Sequence, residues 1–143
     1  FDANPHIIGF ARQKTAGNPR LRFEAVDIFS DRFKAFQFDV VIGTLFYHHF
    51  TTEQLVAFFQ SLRRQTSIGI VINDIHRHPL AYYSIMFLTR WLSRSAMVKS
   101  DAPISVLRAF RKEELLHILA QAGYSKYDIQ WRWAFRWQAV AWT

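Results

Sequence analysis

The sequence of 143 residues predicts a doubly wound α/β sheet, and three observations carry that prediction. Two near-continuous β-branched runs, "FDVVIG" (38–43) and "SIGIVIND" (67–74), have the pattern of parallel strands covered on both faces. Between them lies a helical pattern with apolar positions at Leu55, Phe58, Phe59 and Leu62, and strands alternating with helices build a mostly parallel sheet. The chain closes on "YSKYDIQW" (124–131) and "RWQAVAWT" (136–143), two strand patterns expected to pair antiparallel with each other.

The remaining elements follow in order. Asn4 before Pro5 has the form of an N-cap and a first-turn proline, and Gly17 suits the left-handed residue past a helix end, so residues 5–16 are expected to be helical. "LRFEAVDIF" (21–29) alternates apolar and polar residues in part and reads as a strand. Thr51 with Gln54 forms a capping box that opens the helix after residue 51. An aromatic helix is expected from about 80 to 93, followed by a polar loop. "RKEELLHILAQAG" (111–123) then places Leu115, Leu116, Ile118, Leu119 and Ala122 on one stripe, with Gly123 as its cap. There is no internal repeat, low-complexity tract or linker, so residues 1–143 are expected to form one domain.

Composition narrows the function classes. An apolar fraction of 50% with 20% charged residues suits a globular domain with a real core. There is no cysteine, which removes disulfides and thiolate metal sites and makes a reducing cytoplasm the default location. The longest apolar stretch, residues 79–88, is broken by Arg90 and falls short of the roughly 20 residues a bilayer requires, so no membrane span or signal peptide is expected. The net charge of +7 is spread over cations that form no run longer than two. That distribution reads as a solvated surface rather than a polyanion site, and no nucleic-acid partner is expected. A homodimer is left open.

In doubly wound sheets ligands bind outside the carboxyl ends of the strands. The segments there are "FDANP", "VDIF", "IGTLFYHHF" and "NDIHRHP". With these residues the sequence resembles the class I S-adenosylmethionine-dependent methyltransferases of small-molecule type, whose Rossmann-like sheet of seven strands ends in an antiparallel hairpin. The resemblance covers nearly the whole chain, as the portion from the end of the second strand to the seventh. It implies that the first strand and helix lie upstream of Phe1. The family's glycine-rich turn is absent, because the five glycines stand alone at 9, 17, 43, 69 and 123.

The resemblance implies S-adenosylmethionine as cofactor. Asp2, next to Ala3, then accepts from the ribose hydroxyls, and Asp27, next to Ile28 and Phe29, faces the adenine amino group. Thr44 and Leu45 lie beside the methionine portion through backbone groups. A carboxylate can accept from two neighbouring hydroxyls at once, and such charge-assisted bonds are roughly twice as strong as neutral ones. Each aspartate taken alone reads equally as a capping or turn residue, and Phe29 equally as core.

For a hydroxyl acceptor, a histidine with a pKa of about 6.5 can serve as general base. His76 is the first candidate and His48 the second. His49 and His78 share the two loops, with His49 also reading as a loop-shaping residue. His76, His78 and His48 are compatible with zinc by type, yet they show no ligand spacing, and no metal is expected. Residues 79–96 resemble the helical lid of small-molecule methyltransferases, whose aromatic face of Tyr82, Tyr83, Met86, Phe87 and Trp91 implies an apolar or aromatic acceptor. A plain core helix explains the same residues. Arg108 suits a substrate carboxylate or a surface ion pair. The expected function is methyl transfer to a small apolar or aromatic acceptor, at oxygen. The alternatives are a non-catalytic binding module, a nucleic-acid methyltransferase, and a membrane-surface role for residues 80–93.

Overall fold

The structure, a computed structural model, describes residues 1–15 and 18–143. Gly17, expected to end the first helix, lies outside the described residues. The chain divides into two compact units, Phe1–Gln37 and Phe38–Thr143.

In the first unit, α1 (Pro5–Lys14) starts as the sequence predicts. The Asn4 side chain accepts from the His6 N–H at 2.9 Å, and Pro5 occupies the first turn, where its missing N–H costs nothing. The strand expected over 21–29 does not form. The segment makes a single parallel bridge, between Asp2 and Ala25, with Asp2 N–H donating to Glu24 O at 3.2 Å and Val26 N–H to Asp2 O at 3.0 Å. It then turns at once, Ser30 N–H bonding back to Asp27 O, and enters the short helix α2 (Asp31–Lys34). A partly alternating pattern becomes a strand only where a ladder continues beside it, and here the ladder stops after one residue.

The second unit is built on a four-stranded sheet: β1 (Phe38–Thr44), β2 (Thr66–Ile75), β3 (Lys126–Arg132) and β4 (Arg136–Trp142). Their spatial order is β1-β2-β4-β3, with β1 parallel to β2 and the last strand, β4, inserted antiparallel between β2 and β3. The closing hairpin is therefore antiparallel, as its sequence predicts. The insertion of β4 requires close backbone approach at Gly69, which has φ +154°, and where a methyl group would overlap the Ala141 carbonyl.

The helix α3 (Thr52–Gln65) is opened by the full capping box, Thr51 N–H to Gln54 Oε1 at 2.9 Å and Gln54 N–H to Thr51 Oγ1 at 3.3 Å. It packs against β2 and against α6 (Lys112–Gln121). Phe59 and Leu62 of α3, Leu115, Ile118 and Leu119 of α6, and Ile70 and Ile72 of β2 are all essentially fully buried and form the core. Gly123, at φ +88°, ends α6 as expected.

Two expectations fail in this unit. β1 is the edge of this sheet, and Val40 and Ile42 are exposed, so among the described residues it lacks the burial on both faces expected for it. The polar loop expected after the aromatic helix α4 (Pro79–Leu92) is instead a helix, α5 (Ala96–Arg108), capped by Ser95 and running through Pro103. Pro103 and Val106 are buried, and α5 packs on α4 and on the turn that follows β1. That burial outweighs the cost of an internal proline, about 3 kcal/mol from isolated helices.

Candidate functional site

β1 delivers the chain into Leu45, a non-glycine residue in the left-handed region at φ 54°. Phe46 follows, and then a single 3₁₀ turn, Tyr47–His49. Two features fix this turn. The Tyr47 ring is buried over Gly43, where any β-carbon would overlap the phenol, and it meets the Phe59 ring edge-on at 5.2 Å. Burial raises the Tyr47 hydroxyl well above its ordinary value, so it stays neutral.

The second feature is Asp74, a carboxylate on the apolar strand β2 with no exposed surface. Its Oδ2 accepts from three successive backbone N–H groups of the turn: Phe46 at 3.2 Å, Tyr47 at 2.8 Å and His48 at 3.3 Å. Its Oδ1 accepts from Ile75 N–H at 2.7 Å and meets His48 Nδ1 at 2.6 Å. A concave row of N–H groups is a ready anion cradle. Burial by itself pushes the Asp74 carboxyl up. The bonds from His48, Ile75 and Tyr47 and the charge of the imidazole outweigh burial and hold it below the usual carboxylate range. Asp74 is thus ionised at neutral pH, and the proton of a neutral His48 sits on Nδ1. Nε2 is left as the acceptor nitrogen.

His48 and His49 stand at the wall of a cleft of about 650 Å³, within the usual range of small-molecule sites. Leu45, Ile75, the α4 residues Ala81, Ile85 and Leu88, the α5 residue Val106, and Trp133 and Phe135 of the hairpin turn line it, and its surface is mainly apolar. Phe135, like Leu45, is a non-glycine residue at φ 54°. Two such backbone conformations, each costing on the order of 1–3 kcal/mol, thus border one cleft.

The other predicted residues sort differently. His76 does not line the cleft. Its ring lies against Trp137 at 4.7 Å and His78 at 5.3 Å, and among the described residues its buried Nδ1 has no partner. Burial, and then the neighbouring His78, lower its pKa against a smaller opposing pull from Glu113, so the ring is neutral. His78 caps α4, Nδ1 accepting from Leu80 N–H at 3.1 Å, and stacks on Phe135. His49, at 4.1 Å from the His48 ring, is lowered first by burial, then by His48 and Arg108, while Asp74 opposes. Tyr82 and Tyr83 contact each other edge-on but are outside the lining; Tyr83 is exposed. Arg108, also outside the lining, is exposed at the end of α5 and makes no ion pair among the described residues.

Leu45 N–H is taken by Asn73 O at 2.9 Å, so any ligand contact of Leu45 falls to its carbonyl and side chain, while Thr44 is exposed at the strand end. In the first unit, the Asp2–Ala25 bridge brings the segments bearing Asp2 and Asp27 side by side. Each carboxylate is anchored through Oδ1, Asp2 by Asn4 N–H at 2.7 Å and Asp27 by Phe29 N–H at 3.0 Å. Both make the turn contacts anticipated for them as isolated residues. Ala3 is exposed, and Ile28 and Phe29 are half-buried.

Sequence reasoning missed Asp74 and α5. A signal for Asp74 was present: a carboxylate inside an otherwise apolar buried strand must be paired to be tolerated.

No protein-family model matches the sequence, and no curated protein does. Solved structures do match. Human N-acetylserotonin methyltransferase superposes on 97% of this chain with a TM-score of 0.66 at 12% identity, this chain spanning 38% of its length. Magnesium protoporphyrin IX methyltransferase from Synechocystis, with bound S-adenosylhomocysteine, superposes on 96% with a TM-score of 0.58 at 14% identity, over 59% of its own length. The N-methyltransferase NodS from Bradyrhizobium japonicum covers 99% of this chain with a TM-score of 0.53 at 16% identity, over 69% of its length. At these identities the likeness establishes the fold. The chain has the Rossmann-like fold of the class I S-adenosylmethionine-dependent methyltransferases, and it spans from about a third to about two thirds of the structures it resembles.

Proposed function

We propose that the chain serves S-adenosylmethionine-dependent methyl transfer to the hydroxyl oxygen of a small apolar or aromatic acceptor. The observation that carries this reading is the His48–Asp74 pair at the wall of an apolar cleft. Two of the similar structures are named for small-molecule acceptors, N-acetylserotonin and magnesium protoporphyrin IX, which supports the acceptor class. NodS is named for transfer to nitrogen, so the preference for oxygen rests on His48.

The donor set of this chain suits the cofactor. Asp2, with Ala3 beside it, is assigned to the ribose hydroxyls and Asp27 to the adenine amino group, flanked by Ile28 and Phe29. Both carboxylates are oriented through one oxygen by a local N–H, and acceptor oxygens are what hydroxyl and amino donors need. The Leu45 carbonyl and Thr44 are assigned to the methionine portion. When bound, S-adenosylmethionine supplies an electrophilic methyl on sulfur, and the carbon–sulfur electron pair leaves with that sulfur.

The residues of the chain supply the rest. The apolar walls exclude water and align the acceptor, the main requirement of an in-line displacement. His48 Nε2 takes the hydroxyl proton as the oxygen–methyl bond forms, and Asp74 stabilises the resulting imidazolium through Nδ1–H. His48 is the base rather than His76, because His48 lines the cleft with its second nitrogen already committed.

The test has two readouts. Calorimetric titration with S-adenosylhomocysteine should show binding that Asp2→Ala weakens by about 1.5–3 kcal/mol, the scale of a hydrogen bond to a charged group. Unchanged affinity refutes the ribose assignment. Incubation with S-adenosylmethionine and a panel of apolar phenols should give methylated product by mass spectrometry, and His48→Gln should lower turnover about 10²–10⁴-fold with cofactor affinity intact. Turnover that survives in His48→Gln and disappears in His76→Ala moves the base to the other loop.

A further inference from the structure

α4 carries two apolar faces, and only one of them belongs to the cleft. Ala81, Ile85 and Leu88 line the cleft. Leu80, Tyr83, Phe87 and Trp91 lie on the adjoining face and are 62%, 61%, 61% and 74% exposed. At about 100° per residue these four positions fall within an arc of roughly 80°, a continuous stripe along the helix. Met97, at the start of α5, adds a further exposed apolar side chain at 71% exposure. A helix that faces water carries polar residues there, and an exposed patch of this kind marks an interface.

The charges beside the stripe identify what covers it. From Ile75 to Ser100 the sequence contains no Asp or Glu. Arg90, Arg94 and Lys99 are exposed, and among the described residues none of them has a carboxylate partner. A second copy docked through the same face would add a second set of the same uncompensated cations to the interface and no carboxylate from residues 75–100 to offset them. An anionic lipid surface neutralises them and receives tyrosine and tryptophan rings at headgroup depth. We infer that the α4 stripe with Arg90, Arg94 and Lys99 docks this chain on an anionic membrane surface. The helix lies in the interface without crossing it; no helix among the described residues is long and apolar enough to cross. This inference does not depend on the methyl-transfer reading.

Vesicle co-sedimentation of the full 143-residue chain tests it. The chain should pellet with phosphatidylcholine vesicles containing phosphatidylglycerol, release at high salt, and stay in solution with phosphatidylcholine alone. The double variants Phe87→Ser/Trp91→Ser and Arg90→Glu/Arg94→Glu should each lower the bound fraction at least about tenfold with unchanged thermal melts. All four side chains are exposed, and if one pair unfolds the chain the other pair carries the test. Failure to pellet with either vesicle overturns the inference. So does equal binding to both vesicles, or binding indifferent to both variants. A dimer in sedimentation velocity that Phe87→Ser/Trp91→Ser dissolves, with vesicles left unbound, also overturns it in favour of a second copy.

Discussion

Replacing Asp74 by asparagine changes almost no volume and removes the charge on which the site is organised. The carboxylate collects five contacts: three turn N–H groups on Oδ2, and Ile75 N–H with His48 Nδ1 on Oδ1. An amide can present its oxygen to only one of these sets. If it keeps the three turn donors, its NH₂ faces the Ile75 N–H, leaving a donor against a donor, and it must donate to His48 Nδ1. The imidazole proton then moves to Nε2, the wrong nitrogen for a base. The retained bonds drop from charge-assisted to neutral, about half the strength, and one buried donor loses its acceptor at about 1–3 kcal/mol. Together this amounts to about 3–5 kcal/mol. A domain of ordinary stability, about 5–15 kcal/mol, survives that loss at reduced temperature. Urea denaturation should show the lower midpoint with an unchanged slope, and ¹⁵N shifts of His48 should report the switch from an Nδ1–H to an Nε2–H tautomer. An unchanged midpoint together with an unchanged tautomer would refute the claim that Asp74 both cradles the turn and orients His48.

Three further outcomes follow from the same structure. Asp74 has its native pKa below the unfolded value of about 3.9, so its stabilisation is complete above that value and is lost as pH falls through it toward the native pKa. Urea midpoints from pH 7 down to 2 should therefore fall steeply at the acid end in the wild type and less steeply in Asp74→Asn. Gly43→Ala should cost about 1–3 kcal/mol by driving a methyl group into the Tyr47 ring, read as a lower Tm with loss of near-ultraviolet tyrosine signal. Phe59→Ala, at a fully buried position under Tyr47, should cost about 3–5 kcal/mol in urea unfolding; a cost below 1 would show that α3 does not carry the core.

Several parts of this molecule were decided locally and are therefore readable in its sequence. Asn4–Pro5 and the Thr51–Gln54 box start helices through bonds spanning three residues or fewer, and Gly123 ends one through its own backbone freedom. The strand at 67–74 and the closing hairpin were legible because period and composition reflect burial along a single segment, whereas the run at 38–43 gave the strand but not its exposed edge position. Tertiary structure decided the rest. Residues 21–29 carry a partial strand pattern, but among the described residues they form only the one β-bridge, Ala25 with Asp2. Residues 96–108 contain a proline and read as loop, yet packing of Pro103 and Val106 against α4 and the 3₁₀ turn makes them helix. The histidines show the division best. Four of them lie on two loops with equivalent chemistry, and in the sequence Asp74 stands two residues before His76 and far from His48. Asp74, 26 residues beyond His48 in the chain, bonds the His48 ring and fixes its tautomer, because the parallel pairing of β1 with β2 sets the carboxylate beneath the turn that follows β1.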